Sequence, residues 1–257
     1  MKRSFGIVCF RRTDRGTQLL MVKKATTYNF CEFISGHYRK QSDEQLIKLF
    51  DGMTYHEKMT ILTLKFQAMW YHIYKDNPER NANSKSLWNS TYFKRKSKFE
   101  NTFLYDNGKK LHSLIASSSN ADTPWEFPKG RRNELKRELD LDAAIREFHE
   151  ETGVAAGQYR VCWHITPYIE TYTDYGVTYQ NVYYFADAVG HWEPVYRFDN
   201  EHQVNEISAV SWVARAELPL MKLQPIELRR LIKTFTKVIR KRQRRRRWIV
   251  LLVNCFK

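Results

Sequence analysis

The sequence predicts an α+β fold that carries a helical insert. Three observations lead there. Short runs rich in β-branched and aromatic residues stand near both ends of the chain. A long stretch with helical apolar spacing separates them. A short helix dense in glutamate, within the stretch Gly130 to Val154, then precedes a second group of such runs.

Phe5–Arg12 and Gln18–Lys24 read as two strands of a hairpin, turned by Asp14-Arg15-Gly16. Cys31–Arg39 reads as a third strand. A helical stretch is expected from about Ser42 to Tyr74. Within it Thr54 is placed as an N-cap, with Glu57 three residues on to complete a capping box. Ile61, Leu62, Leu64, Phe66, Met69, Trp70 and Ile73 carry the helical pattern. Lys75–Ser90 is polar and reads as a loop. Tyr92–Phe103 reads as another helix, with Lys94, Arg95, Lys96 and Lys98 on its exposed side. This organisation predicts a main domain over 1–38 and 113–257 and a basic helical insert over 39–112.

Arg160–Tyr168, Gln180–Ala188 and Ile207–Val213 read as later strands, with Thr171–Gln180 a loop between the first two. Leu218–Leu223 reads as a short helix. Pro225 suits the first turn of a long C-terminal helix running to about 243, with Leu228, Leu231, Ile232, Phe235, Val238 and Ile239 as its apolar stripe. Lys237–Arg247 then holds eight basic residues in eleven, and Trp248–Val253 is apolar. A solvated helix end followed by a packed tail is the plain reading of that end. A nucleic-acid contact and a nuclear or membrane-surface address are the others. The stripe and the apolar run also offer a homodimer surface.

No apolar run reaches the ~18 residues that span a bilayer. Met1-Lys2-Arg3 runs straight into a strand-like segment, so no signal peptide is expected. The four cysteines, Cys9, Cys31, Cys162 and Cys255, match no metal spacing and read as reduced thiols of a cytoplasmic protein. The net charge of +15 is unevenly spread. Residues 113–224 carry ten basic and seventeen acidic side chains, a net of −7, while residues 225–257 reach +11 with twelve against one. An acidic block between basic segments suits a metal site that must hold a polyanion.

The acidic helix is the sharpest signal. Leu141, Ile145 and Phe148 fall on one side at helical spacing. Glu147 and Glu151 are four apart, with Glu150 on the adjoining strip, and Gly153 is placed to end the helix in a left-handed turn. Like charges so spaced destabilise a helix by roughly 0.2–0.5 kcal/mol per pair. A hard divalent cation such as Mg²⁺ or Mn²⁺ removes that conflict. A solvated acidic face is the plainer reading of such a pattern.

The stretch Gly130–Val154 resembles the Nudix box, a glycine followed by E-x7-R-E-U-x-E-E-x-G-U, where U is bulky and apolar. Glu138, Arg146, Glu147, Phe148, Glu150, Glu151, Gly153 and Val154 match position by position. The gap from Gly130 to Glu138 leaves seven residues where the pattern has five. The resemblance implies an α/β/α sandwich around a mixed sheet. It implies hydrolysis of a nucleoside diphosphate linked to another group. Glu147, Glu150 and Glu151, with Gly130, would hold Mg²⁺ or Mn²⁺. Glu151 would take the proton of the attacking water, and Arg146 would orient Glu147 through a bidentate pair. Glu206, then Glu201, are candidates for the further glutamate that some decapping members use.

The box does not choose the substrate. The insert, the Trp125-Glu126-Phe127-Pro128-Lys129-Gly130 approach and the box together resemble the mRNA-decapping Nudix hydrolases of large cytoplasmic DNA viruses, of poxvirus and asfarvirus type. That implies capped mRNA as partner, acted on in the cytoplasm (a host's, if the chain is viral), with release of 7-methyl-GDP. Tyr172, Tyr175 and Tyr179, with Phe50 and Tyr55, are candidates to stack the cationic guanine. Lys94, Arg95, Lys96, Lys98, Arg240, Lys241, Arg244 and Arg245 are candidates for the RNA body. The alternatives are a diphosphoinositol polyphosphate or dinucleoside polyphosphate hydrolase, and an RNA-binding protein with an inactive box.

Overall fold

The computed structural model describes residues 1–38, 42–75, 87–174, 176–214 and 216–218. The expected C-terminal helix, the Arg-rich run and the apolar tail lie outside them, and with them the surface proposed for a homodimer. The described residues fall into two compact units, Met1–Lys23 with Trp125 onward, and Lys24–Pro124.

The first unit is built on strand β1 (Lys2–Thr13). Its residues Phe5 to Phe10 are buried on both faces, which is why they read as a nearly unbroken apolar run. β1 pairs in parallel with β7 (Val177–Ala188) and antiparallel with β2 (Gly16–Lys24). Its N-terminal half pairs instead with β4 (Lys129–Gly130), through Phe5↔Gly130 and Gly6↔Lys129. β3 (Trp125–Glu126) and β8 (Ile207–Ala214) join β2, while β5 (Tyr159–Val161) and β6 (Tyr168–Asp174) join β7. The result is an eight-stranded mixed sheet. Phe5, Ile7 and Cys9 pack with Ala143, Ala144 and Phe148 of the acidic helix on one face. Val8, Phe10, Tyr183 and Phe185 pack with Phe127 and Cys162 on the other.

The second unit is helical: α1 (Tyr28–Ile34), α2 (Asp43–Asp51), α3 (Tyr55–Thr63), α4 (Phe66–Tyr74), α5 (Ser90–Phe103) and α6 (Lys109–Ala116). Much of the chain's aromatic content is here. Phe33 lies 5.4 Å from both Phe50 and Phe103, and Phe66 lies 5.4 Å from Phe99, ring centre to ring centre. The unit begins and ends at one place, where the Lys24 N–H donates to the Pro124 carbonyl at 3.0 Å.

Several expectations change. The described part of Cys31–Arg39 is not a strand. Thr27 caps the helix α1 through its hydroxyl, and the bulky run Phe30, Phe33 and Ile34 is that helix's buried face. The stretch from 42 to 74 is three helices, parted at Gly52 and Lys65. Gly52 is packed against Asn29, whose side-chain nitrogen lies 2.2 Å from where a Cβ would stand. The helical unit runs from Lys24 to Pro124, beyond the 39–112 expected of the insert.

The capping box on Thr54 is present, and Glu57 does more than the motif asks. Its carboxylate accepts from the Thr27 N–H at 2.6 Å, the Thr27 hydroxyl at 2.9 Å and the Thr54 N–H at 2.8 Å. Glu57 is 5% exposed, so its loss would strand two backbone donors and a hydroxyl. Glu57→Ala is expected to lower stability by about 3 kcal/mol or more, measured by urea unfolding. A change below about 1 kcal/mol would mean that water satisfies those donors.

Candidate active site

The acidic helix is α7, Asp140–Thr152, and Gly153 ends it at φ 68° with its N–H on the His149 carbonyl. Ala143, Ala144, Phe148, Glu151 and Thr152 form its buried face. Ile145 is partly buried against that core, and Leu141 is half-exposed rather than a full member of the stripe. Glu151 therefore lies on the buried side, only 2% exposed. One of its oxygens accepts from the Lys129 N–H at 3.0 Å.

Arg146 gathers the remaining carboxylates. Its Nε and one terminal nitrogen donate to both oxygens of Glu138, at 2.8 and 3.1 Å. Its other terminal nitrogen donates to Glu147 and to Glu150, both at 2.8 Å. A last bond goes to the Arg131 carbonyl at 2.8 Å. The two-pronged pair is thus with Glu138; Glu147 receives a single bond, which corrects the expected bidentate Arg146–Glu147 pair. The two extra residues before Glu138 are taken up by a 3₁₀ turn, Glu134–Lys136, capped by Asn133 and closed by Arg137 at φ 50°. The Asn133 N–H also donates to Glu138 at 2.7 Å. The longer loop still delivers this glutamate to Arg146.

Two close approaches set the loop against the helix. A Cβ on Gly6 would stand 2.3 Å from the Pro128 carbonyl oxygen, so only glycine lets that loop lie on β1. A Cβ on Gly130 would stand 2.0 Å from the Glu147 carboxyl carbon. Backbone at Gly130 thus runs directly against the carboxylate of Glu147.

The electrostatics follow. Burial works against the Arg146 charge, but its bonds to Glu138 and Glu147 and the field of Glu150 outweigh this and push its pKa up. The hydrogen bond from Arg146, with the Asn133 N–H, holds Glu138 below the usual carboxylate range. Burial raises Glu147 to about 7; Arg146 opposes the shift, and Glu151 and Glu150 add to it. Three carboxylates thus share one guanidinium.

Among the described residues no three His, Cys, Asp or Glu side chains are arranged to hold a metal ion. Arg146 and the Lys129 N–H take the carboxylate oxygens instead. The chemistry of the donors still fits a hard cation: carboxylate oxygens with surplus negative charge, beside a backbone left bare at Gly130.

Some supporting residues had no signal in the sequence. Helix α8, Glu201–Glu206, abuts the end of α7. Gln203 is fully buried, donates to the Glu151 carbonyl at 3.1 Å and accepts from the Arg197 N–H at 2.8 Å. Asn200 donates to the Glu150 carbonyl at 3.3 Å. Both satisfy carbonyls that a helix end leaves open. Glu126 is 1% exposed and pairs with the Lys129 ammonium at 2.7 Å. Their effect is purely three-dimensional; no local pattern marks them.

Glu206 ends α8 just before β8, and it and Glu201 are exposed. Tyr172 and Tyr179 are not in a loop. They face each other across β6 and β7, with rings stacked 5.2 Å apart and the Lys2 ammonium 5.7 Å from Tyr179. Tyr175 lies outside the described residues. Phe50 is fully buried between Phe33 and Phe103, so it has no face to offer a ligand. Tyr55 is 63% exposed. Lys94 is exposed, Lys96 pairs with Glu100 at 3.7 Å, and Arg95 packs on Gly36. Lys98 turns inward, giving its ammonium to the carbonyls of Gly36 and Tyr38 and lying over the Tyr38 ring, so it is a structural cation rather than a free RNA contact. Arg240, Lys241, Arg244 and Arg245 lie outside the described residues.

Comparison with known proteins agrees with this geometry. Residues 101–235 match the model of the NUDIX domain. The chain is 34% identical over 220 residues to mRNA-decapping protein g5R of an African swine fever virus isolate from Namibia, covering 82% of this chain and 85% of that one. Its counterpart from a Kenyan isolate is 35% identical with the same coverage. A solved Caenorhabditis elegans Ap4A hydrolase overlays 94% of this chain and 99% of its own at a TM-score of 0.47 and 12% identity, a likeness too loose to bear on substrate. Fold and site define a pyrophosphohydrolase of the kind that works with divalent metal ions. The chain belongs to the Nudix family.

Glu147 holds a proton more readily folded than unfolded, so its contribution to stability is present at low pH and is lost as pH rises through about 7. In chelator, Glu147→Gln is expected to melt above the parent at pH 8, with the difference closing by about pH 5, in thermal scans. A constant difference across that range would mean that Glu147 is ionised throughout. Gly130→Ala thrusts a methyl into the Glu147 carboxylate. Calorimetric titration with Mn²⁺ should show at least about tenfold weaker binding by that variant, a cost of ~1.4 kcal/mol.

Proposed function

We propose that this chain is an mRNA-decapping hydrolase, cutting between the α and β phosphates of a 5′ cap to leave 7-methyl-GDP and 5′-monophosphate RNA. One observation carries the choice of substrate. Likeness to the g5R proteins spans 82% of the chain, so it reaches well into the Lys24–Pro124 helical unit, beyond what the box-bearing unit alone would supply. The chain would act in the cytoplasm, where capped mRNA is found.

Glu147, Glu150 and Glu151, with the backbone at Gly130, would hold Mg²⁺ or Mn²⁺. Bound there, the cation would neutralise charge developing on the phosphate oxygens. The chain's own residues do the rest. Arg146 keeps Glu147 and Glu150 on one side of α7 and anchors them to Glu138. Glu151, buried and held by the Lys129 N–H, takes the proton of the attacking water. Gln203 and Asn200 keep the last turn of α7 from fraying under that load. Glu206 is a further candidate base at the exposed end of α8. The stacked Tyr172–Tyr179 pair, with Lys2 beside it, offers an aromatic platform for a methylated guanine. Lys94, Arg95 and Lys96 offer phosphate contacts on the helical unit.

Cap-labelled RNA with Mg²⁺ or Mn²⁺ should yield labelled 7-methyl-GDP. Glu150→Gln should lower that rate at least about a hundredfold and leave RNA affinity unchanged. No cap product, with turnover of diphosphoinositol polyphosphates or dinucleoside polyphosphates instead, would replace this reading.

A further inference from the structure

A second binding site stands at the far end of β1. Six residues separate Gly6, beside the Lys129–Gly130 loop, from Arg12, or about 20 Å of extended strand. There a groove of about 680 Å³ opens between the ends of β1 and β7, the segment Arg160–His164 and the turn at Gly190–His191. Arg12, Arg160, His164 and His191 line it, with Asp187 as its one carboxylate.

Two features suggest an occupant. The Arg12 Nε is buried and has no hydrogen-bond partner among the described residues. A guanidinium nitrogen left so is costly unless something else accepts from it. The other is Trp163, 78% exposed on the groove wall. Its position is held by the fold. The Cys162 N–H donates to the Phe185 carbonyl at 2.8 Å, the Trp163 N–H to Val161 at 3.2 Å, and the Ile165 N–H to Cys162 at 2.9 Å. Cys162 is itself buried. The turn thus pins an indole outward, which neither packing nor solubility calls for. Arg11, also on the wall, is already engaged by Glu193 at 2.7 Å and by the Trp212 ring, which leaves Arg12 and Arg160 as the guanidinium groups of the groove without a charged partner among the described residues.

We infer that this groove binds single-stranded RNA, with a base stacked on Trp163 and backbone phosphates on Arg12 and Arg160. An aromatic platform beside guanidinium groups is the chemistry that holds unpaired nucleotides without regard to sequence. The inference rests on the reading of capped RNA as substrate, and it gives the transcript body a hold on the same unit as the box, several nucleotides from the cleaved phosphate.

The test uses the full chain and a fluorescein-labelled oligouridylate with a 5′-monophosphate. Trp163→Ala is expected to weaken binding about tenfold. Arg160→Gln should flatten the slope of log Kd against log salt by about 0.7. Both side chains are exposed, so both variants should fold like the parent. Neither should alter hydrolysis of a methylated cap dinucleotide, while the KM for a longer capped RNA should rise. Unchanged oligouridylate affinity and salt slope in both variants would overturn the groove and leave the decapping reading intact. Oligouridylate binding that falls as expected, in a chain that cuts no cap, would keep the groove and remove the decapping reading.

Discussion

One guanidinium organises the acidic face of this protein. Arg146 holds Glu138 with two bonds and Glu147 and Glu150 with one each. Without it, Glu138 and, within one helix turn, Glu147 and Glu150 would lose the cation that draws them together. The pattern is graded. Glu138, fully paired, is easily ionised, whereas Glu147, singly bonded and desolvated beside Glu150 and Glu151, resists losing its proton. Glu151 stays outside the Arg146 network and is fixed by a backbone N–H. These carboxylates sit in different environments although the sequence writes them almost side by side, and such differences set their proton affinities apart.

Support for this face comes from outside the helix. The loop that meets Glu147 can approach because Gly6 and Gly130 have no side chains. The far end of α7 is held by two amides, Asn200 and Gln203, about fifty residues further along the chain. Both parts lie against β1, whose two halves pair with different strands and whose two faces are both buried. A long central strand of this kind converts local geometry at the loop into a fixed relation with the rest of the unit.

Legibility in the sequence follows the range of each interaction. The box helix, its glycine stop and the capping box at Thr54 were readable because they depend on neighbours three or four residues away. The role of Glu57 beyond its own helix was not, since Thr27 reaches it only through the fold. The run Cys31–Arg39 reads as a strand, yet one hydroxyl cap at Thr27 starts a helix, Tyr28–Ile34, that takes in its first residues. Tyr172 and Tyr179 looked like loop residues because polar neighbours surround them; strand pairing puts them face to face. Phe50 and Lys98 had the right chemistry for ligand contacts, but aromatic packing claims the first and two backbone carbonyls the second.

The way the helical unit joins the sheet has a historical consequence. Its ends meet at Lys24 and Pro124, next to where Lys23 pairs with Trp125. The strands of the host therefore keep their register whatever lies between those two points, much as a hairpin tolerates an exchanged turn. Chemistry and target choice can then evolve on separate clocks. A lineage could lengthen, trim or swap the helical cassette and inherit the glutamate machinery unaltered.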